Sequence, residues 1–148
     1  MSCHLLQMPE LPEVHTIVTD LRPILTGKKI IKAAYTDELG LALRIKSRID
    51  LSVKLNSREI IGVERSAKQV VLELDNAENL VFHLKITGRL LLRDQKEPTD
   101  EFTRLIISLD NGQELRFTDR NGFADVNLLT DSELRERKAQ YGPEVFDG

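Results

Sequence analysis

From residue 59 onward, short apolar segments alternate with turn-forming residues, and that punctuation is what most restricts the fold of this chain. The clearest unit joins residues 105–109 to residues 114–118 through Asp110-Asn111-Gly112. An Asn-Gly pair tolerates the positive φ that a tight hairpin turn needs. Segments 60–63, 70–74, 80–84 and 89–92 read the same way, broken by Asp75-Asn76-Ala77-Glu78-Asn79 and by Thr87-Gly88. Upstream, 29–35 is β-rich after a turn at Thr26-Gly27. Residues 41–45 read as a strand, and 50–55 fit either a short strand or a helical turn. Residues 94–101 read as a solvated loop. Many short strands between turns predict a β-sandwich or barrel.

Two segments break the pattern. Leu11, Val14, Ile17, Val18 and Leu21 fall at helical spacing, which predicts a helix over 11–21 that Arg22-Pro23 ends or bends. Residues 132–140 read as a short polar helix, capped by Thr130 or Asp131 and stopped at Gly142-Pro143-Glu144. The predicted fold class is therefore mainly β, a sandwich or barrel, with an N-terminal and a short C-terminal helix.

The 41% apolar content is enough for a core in 148 residues. No apolar run approaches the ~20 residues of a membrane-spanning helix. Residues 1–7 lack the basic start and apolar stretch of a secretory signal. The default expectation is a cytoplasmic protein that contacts no membrane. A single cysteine, Cys3, excludes an internal disulfide and a multi-cysteine zinc site, so neither metal nor cofactor is expected in this chain. The net charge of −3 counts against strong nucleic-acid binding by this domain alone.

Met8-Pro9-Glu10-Leu11-Pro12-Glu13-Val14 stands at the mouth of the first helix. Its plain reading is a helix start: Pro12 fits the first turn, and Glu10 and Glu13 favour the positive end of the helix dipole. A second reading follows from Pro9. In a chain that begins there, Pro9 is a free secondary amine, titrating near ~7.7–8.0 like other α-amino groups. Its unprotonated fraction can attack a sugar anomeric carbon and form an imine, with Glu10 supplying a proton to the ring oxygen. With residues 1–8 retained, the same nitrogen is an amide and cannot do so.

Pro9-Glu10-Leu11-Pro12-Glu13-Val14 resembles the amino terminus of the formamidopyrimidine-DNA glycosylases and their endonuclease VIII relatives. Three further segments carry the resemblance. Arg65-Ser66-Ala67-Lys68-Gln69 is similar to the family's basic-small-Lys segment, although Ser66-Ala67 stands where the family often has Arg-Gly. His83-Leu84-Lys85-Ile86-Thr87-Gly88 is similar to its His-Leu-x-Met-Ser/Thr-Gly segment. Asp119-Arg120-Asn121-Gly122-Phe123-Ala124 is similar to its Asp-x-Arg-Arg/Lys-Phe-Gly loop, with Asn121 and Gly122 in place of the two basic residues. Gln140-Tyr141-Gly142-Pro143-Glu144 matches the segment that closes the family's N-terminal domain.

The resemblance implies a two-sheet β-sandwich flanked by the two helices, and a base-excision-repair glycosylase and abasic-site lyase acting on oxidised bases. Pro9, Glu10 and Lys68 would be catalytic, Lys68 by orienting the lesion or its phosphate. Ile86, Arg120, Phe123 and His83 would face DNA, Ile86 as an apolar wedge, while His83 also fits a hydrogen-bonded structural role. Gly122 cannot fill a vacated base position. The implied partner is duplex DNA with an oxidised base or abasic site. The implied boundaries are an extension over 1–7 and a catalytic domain over 8–146. The family's helix–two-turn–helix and zinc-finger domains are not in this sequence, so the isolated chain is not expected to be active alone. The alternative is an inactive or weakly DNA-binding β-sandwich module, or an isolated fragment of such an enzyme.

Overall fold

A computed structural model describes residues 11–36, 51–120 and 124–141. Helix α1 (Leu11–Leu25) is followed by β1 (Ile30–Tyr35) and α2 (Leu51–Lys54). The chain then runs through β2 (Ile60–Ser66), β3 (Gln69–Leu74), β4 (Glu78–His83), β5 (Gly88–Asp94), β6 (Thr103–Leu109), β7 (Gln113–Asp119) and β8 (Asp125–Thr130), and α3 (Asp131–Tyr141) follows. The described strands form two antiparallel four-stranded sheets, ordered β1-β6-β7-β5 and β2-β3-β4-β8. This is the predicted two-sheet arrangement with its two flanking helices.

Alternation does the sorting. In β6, Thr103, Leu105, Ile107 and Leu109 are buried while the residues between them are half-exposed, as a period of two requires. Phe82 from one sheet meets Phe117 from the other, ring centroids 5.3 Å apart, at the middle of the core. Val14, Val18, Leu21 and Leu25 add one stripe of α1 to the same core.

The helix does not stop at Pro23 but runs to Leu25. Pro23 withholds one N–H, yet Leu25 is fully buried, Thr26 N donates to Arg22 O at 3.1 Å, and Arg22 Nε donates to Val63 O at 2.8 Å. Tertiary contact therefore outweighs the local breaker. Gly27, at φ +89°, then turns the chain and donates its N–H to Ile60 O. These two anchors set α1 antiparallel to β2. The helical rise carries its first turn about 16 Å beyond Arg22, toward the Ser66 end of that strand.

The ambiguous stretch before residue 56 contains the short helix α2, and the predicted strand over 41–45 lies outside the described residues. Strand β8, not anticipated from the sequence, pairs with β4 along its whole length. At α3, Glu133 N donates to Thr130 Oγ1 and Thr130 N donates to Glu133 Oε1, so Thr130 rather than Asp131 is the cap. Leu134 seats the helix on Val71 and Val81, on the outer face of the second sheet. The predicted stop at Gly142-Pro143-Glu144 lies outside the described residues.

Register fixes which turns share an end. Ser66 opposes Gln69, Gln69 opposes His83, and His83 opposes Asp125. In the other sheet, Gly88 opposes Asp119. The β2–β3 turn, the β4–β5 connection and the β7–β8 connection therefore form one rim. The β3–β4 and β6–β7 turns lie at the opposite end, joined through the Lys29–Glu59 bridge.

Candidate functional site

The rim gathers side chains from segments far apart in sequence. In the β2–β3 turn, Ala67 takes φ +55° and Lys68 is half-buried beside it. Beneath the turn runs one cross-strand polar row on the outer face: Ser66, Gln69, His83, Asp125. Ser66 and Gln69 are buried, and Ser66 Oγ and Gln69 Oε1 find no hydrogen-bond partner among the described residues. Burial holds the His83 imidazole below its ordinary value of 6.5. Asp125 opposes that shift, while Lys85, Arg137 and Lys68 deepen it. Cations from three segments thus add to the burial that disfavours protonation of the ring.

The β4–β5 connection is a tight turn, closed by Gly88 N donating to Leu84 O at 2.9 Å. Leu84 is buried, Lys85 takes φ +54°, and Ile86 at the tip is 48% exposed. Both shoulders of this tip are tied down. Lys85 Nζ pairs with Asp125 Oδ2 at 3.3 Å. Thr87 Oγ1 donates to Asp119 Oδ1 at 2.6 Å. Gly88 packs so closely that a Cβ there would clash with Leu84 O and lie 2.8 Å from Ala124 Cβ.

Asp119 ends β7 and is fully buried. Its Oδ2 accepts from Ala124 N at 2.9 Å, its N–H donates to Phe102 O, and its carbonyl accepts from Arg104 Nε at 3.0 Å. Next along the chain, the exposed Arg120 lays its guanidinium 5.1 Å from the Phe102 ring centroid, a cation–π contact.

The structure therefore brings Lys68, His83, Ile86 and Arg120 to one rim. Pro9, Glu10 and Phe123 lie outside the described residues, as do Asn121 and Gly122. Sequence reasoning did not assign Asp119, Thr87 or Asp125 a role in building the site. The available signal was the place of Asp119 and Thr87 inside two family-like segments, which marks the segments but not the bond between these two side chains. Among the described residues no three His, Cys, Asp or Glu side chains are grouped to hold a metal, and no helix is long and apolar enough to cross a membrane. An exposed aliphatic tip flanked by cations suits a ligand that is anionic outside and stacked inside.

Comparison with known proteins gives a consistent answer. The family model described as the formamidopyrimidine-DNA glycosylase N-terminal domain matches residues 8–126. The formamidopyrimidine-DNA glycosylase of Herpetosiphon aurantiacus is 35% identical over 139 residues, covering 93% of this chain and 50% of that protein. That of Protochlamydia amoebophila is 36% identical over 138 residues, covering 93% and 49%. The chain thus spans about half the length of the curated relatives it matches. Lactococcus lactis Fpg, solved in complex with a FAPY-dG containing DNA, superposes with a TM-score of 0.79 at 23% identity, over 88% of this chain and 48% of that one. At that identity the superposition establishes the fold.

Proposed function

The chain belongs to the formamidopyrimidine-DNA glycosylase family through the N-terminal domain, and from that premise we propose that it supplies the nucleophile-bearing half of a DNA glycosylase and abasic-site lyase. Pro9, as a mature N-terminal amine, attacks C1′ of a flipped, oxidised nucleotide. Glu10 gives its proton to the sugar ring oxygen as the ring opens and the base departs. The resulting iminium eases loss of a proton from C2′ and elimination of the 3′-phosphate. Lys68 holds the lesion or its phosphate, and Ile86 fills the gap in the stack. Arg120, Phe123 and His83 line the approach to DNA. The reading places the chain in the cytoplasm, with duplex DNA carrying an oxidised base or abasic site, and with a second domain completing the cleft.

The observation that carries this reading is convergence. The helix beginning directly after Glu10 points its first turn toward the rim that bears Lys68 and Ile86. These segments are separate in sequence, and only the register of two sheets brings them together.

The test is covalent trapping. A chain trimmed to begin at Pro9 is mixed with abasic duplex DNA and borohydride, and a stable protein–DNA adduct is expected. The 148-residue chain, whose Pro9 nitrogen is an amide, should give none. Absence of adduct from the trimmed chain at high concentration would reject lyase chemistry by this domain alone. The second reading, a weakly DNA-binding module, is favoured by Gly122 at the place of a basic wedge and by the net charge of −3. It predicts salt-sensitive binding without any adduct.

A further inference from the structure

We propose that Asp119 is a positioning residue that locks the Ile86 tip and the entrance to β8 into one unit, so that the two DNA-facing connections move together. The inference rests on the DNA-binding reading above and adds a residue to it. Two of the three connections that cross between the sheets, β4–β5 and β7–β8, meet at this one carboxylate. Oδ1 accepts from Thr87, one residue after Ile86, and Oδ2 accepts from the N–H of Ala124, where the chain enters β8. The main chain of Asp119 is itself fixed by Phe102 O and Arg104 Nε, so the carboxylate is an anchored acceptor rather than a mobile one.

Three further contacts point the same way. Lys85, on the other shoulder of Ile86, pairs with Asp125, the residue after Ala124. Gly88 closes the turn onto Leu84 and leaves room for nothing larger against Ala124. The tip and the β8 entrance are thus joined by a hydroxyl–carboxylate–amide relay, an ion pair and a close packed contact. Charge-assisted hydrogen bonds of this kind, shielded from water, are short and strong. Ile86 is stiff at χ1, so its usefulness as a wedge depends on the backbone beneath it standing at a fixed height. The rim supplies that through Asp119.

Two variants divide the relay. Thr87→Val removes the hydroxyl and leaves the carboxylate to Ala124. Asp119→Asn exchanges one acceptor oxygen for a donor NH2 and removes the charge, so Thr87 Oγ1 and Ala124 N–H no longer share a charged acceptor. Hydrogen exchange on the full chain without DNA decides the coupling. Either variant should speed exchange at both Gly88 and Ala124 while thermal unfolding stays cooperative, and Thr87→Ser should restore protection. Loosening confined to the connection that was altered, or no loosening, overturns the proposal whether or not the chain binds DNA.

The DNA arm uses a duplex with 2-aminopurine beside an abasic analogue, whose fluorescence rises when an apolar wedge unstacks it. The wild-type rise must shrink in Ile86→Ala, otherwise the DNA-binding reading itself fails. Thr87→Val and Asp119→Asn should then weaken the response roughly tenfold, about the worth of one charge-assisted hydrogen bond. In an Ile86→Ala background they should add nothing. An equal weakening in both backgrounds would mean a merely structural role and would overturn the assignment.

Discussion

The two ends of the sandwich are built by different rules. At the end away from the rim, side chains at the tip of each turn bond within the turn, while main-chain bonds from Asp75 to Glu59, Asp110 to Lys29 and Asp131 to Ala77 tie the turns to the rest of the fold. Asn111 Nδ2 donates to Gln113 Oε1 and Gln113 N to Asn111 Oδ1, and Asn76 and Glu78 repeat both bonds one turn away. Every one of these side-chain bonds spans two residues. At the rim, the corresponding bonds span 32 residues from Thr87 to Asp119 and 15 from Arg104 to Asp119, and the Thr36 hydroxyl reaches Thr103 O across 67. Side-chain closure within a turn sets the shape of its tip. Distant closure makes a loop's position depend on the whole fold, and such loops suit a binding surface that must hold its shape.

The contrast can be broken or sharpened by substitution. Phe117→Ala removes the ring that both ends share and should cost about 3–5 kcal/mol in urea unfolding. It should weaken hydrogen-exchange protection at both ends alike, and a loss confined to one end would show that the core does not unite them. Gly88→Ala should cost about 1–3 kcal/mol through overpacking against Leu84 O and Ala124, with the loosening seen by exchange at the rim alone. Gly112→Ala meets open space but must adopt φ +86°. It should cost about 1 kcal/mol, confined to the β6–β7 turn.

Smaller effects concern titration. His83 resists protonation in the folded chain, so the unfolded chain takes up the proton first. Stability should therefore fall as pH drops through 6.5 and below, and be unaffected at pH 8. In His83→Gln that part of the acid sensitivity should vanish, and an unchanged pH profile of unfolding would contradict it. Smallest of all, Gly62→Ala displaces only the flexible end of Glu73 and should alter stability by less than about 0.5 kcal/mol. Burial first, and then Glu64, holds the Glu73 carboxyl above its ordinary 4.5. Pushed toward water by the new methyl, it should titrate lower by NMR.

What the sequence revealed follows the same division. The hairpin at Asn111-Gly112, the strands on either side of it and the stripe of α1 are written in local pattern, and they stand where that pattern puts them. The Thr130–Glu133 cap is likewise a four-residue signal. Strand β8 was not legible because Asp125 and Asn127 are poor strand formers, and its partner β4 lies more than forty residues away. Pro23 misled because a breaker is a local statement and Leu25 answers to the core. At the candidate site, Lys68, Ile86 and Arg120 were found through motif resemblance, whereas the reason they share a rim is sheet register. The importance of Asp119 is visible only as burial with two donors, which no single-residue signal encodes.

The grip of Arg22 on Val63 O has a consequence for handling this domain. Strand β2 is the outermost strand of its sheet, and an open outer strand invites pairing with another molecule. Helix α1 lies along it and occupies a carbonyl that a neighbour would otherwise use. Trimming the chain past Arg22 to study the scaffold would thus strip the guard from that edge. The product to look for would be fibrils or insoluble aggregate rather than a quiet, inactive sandwich.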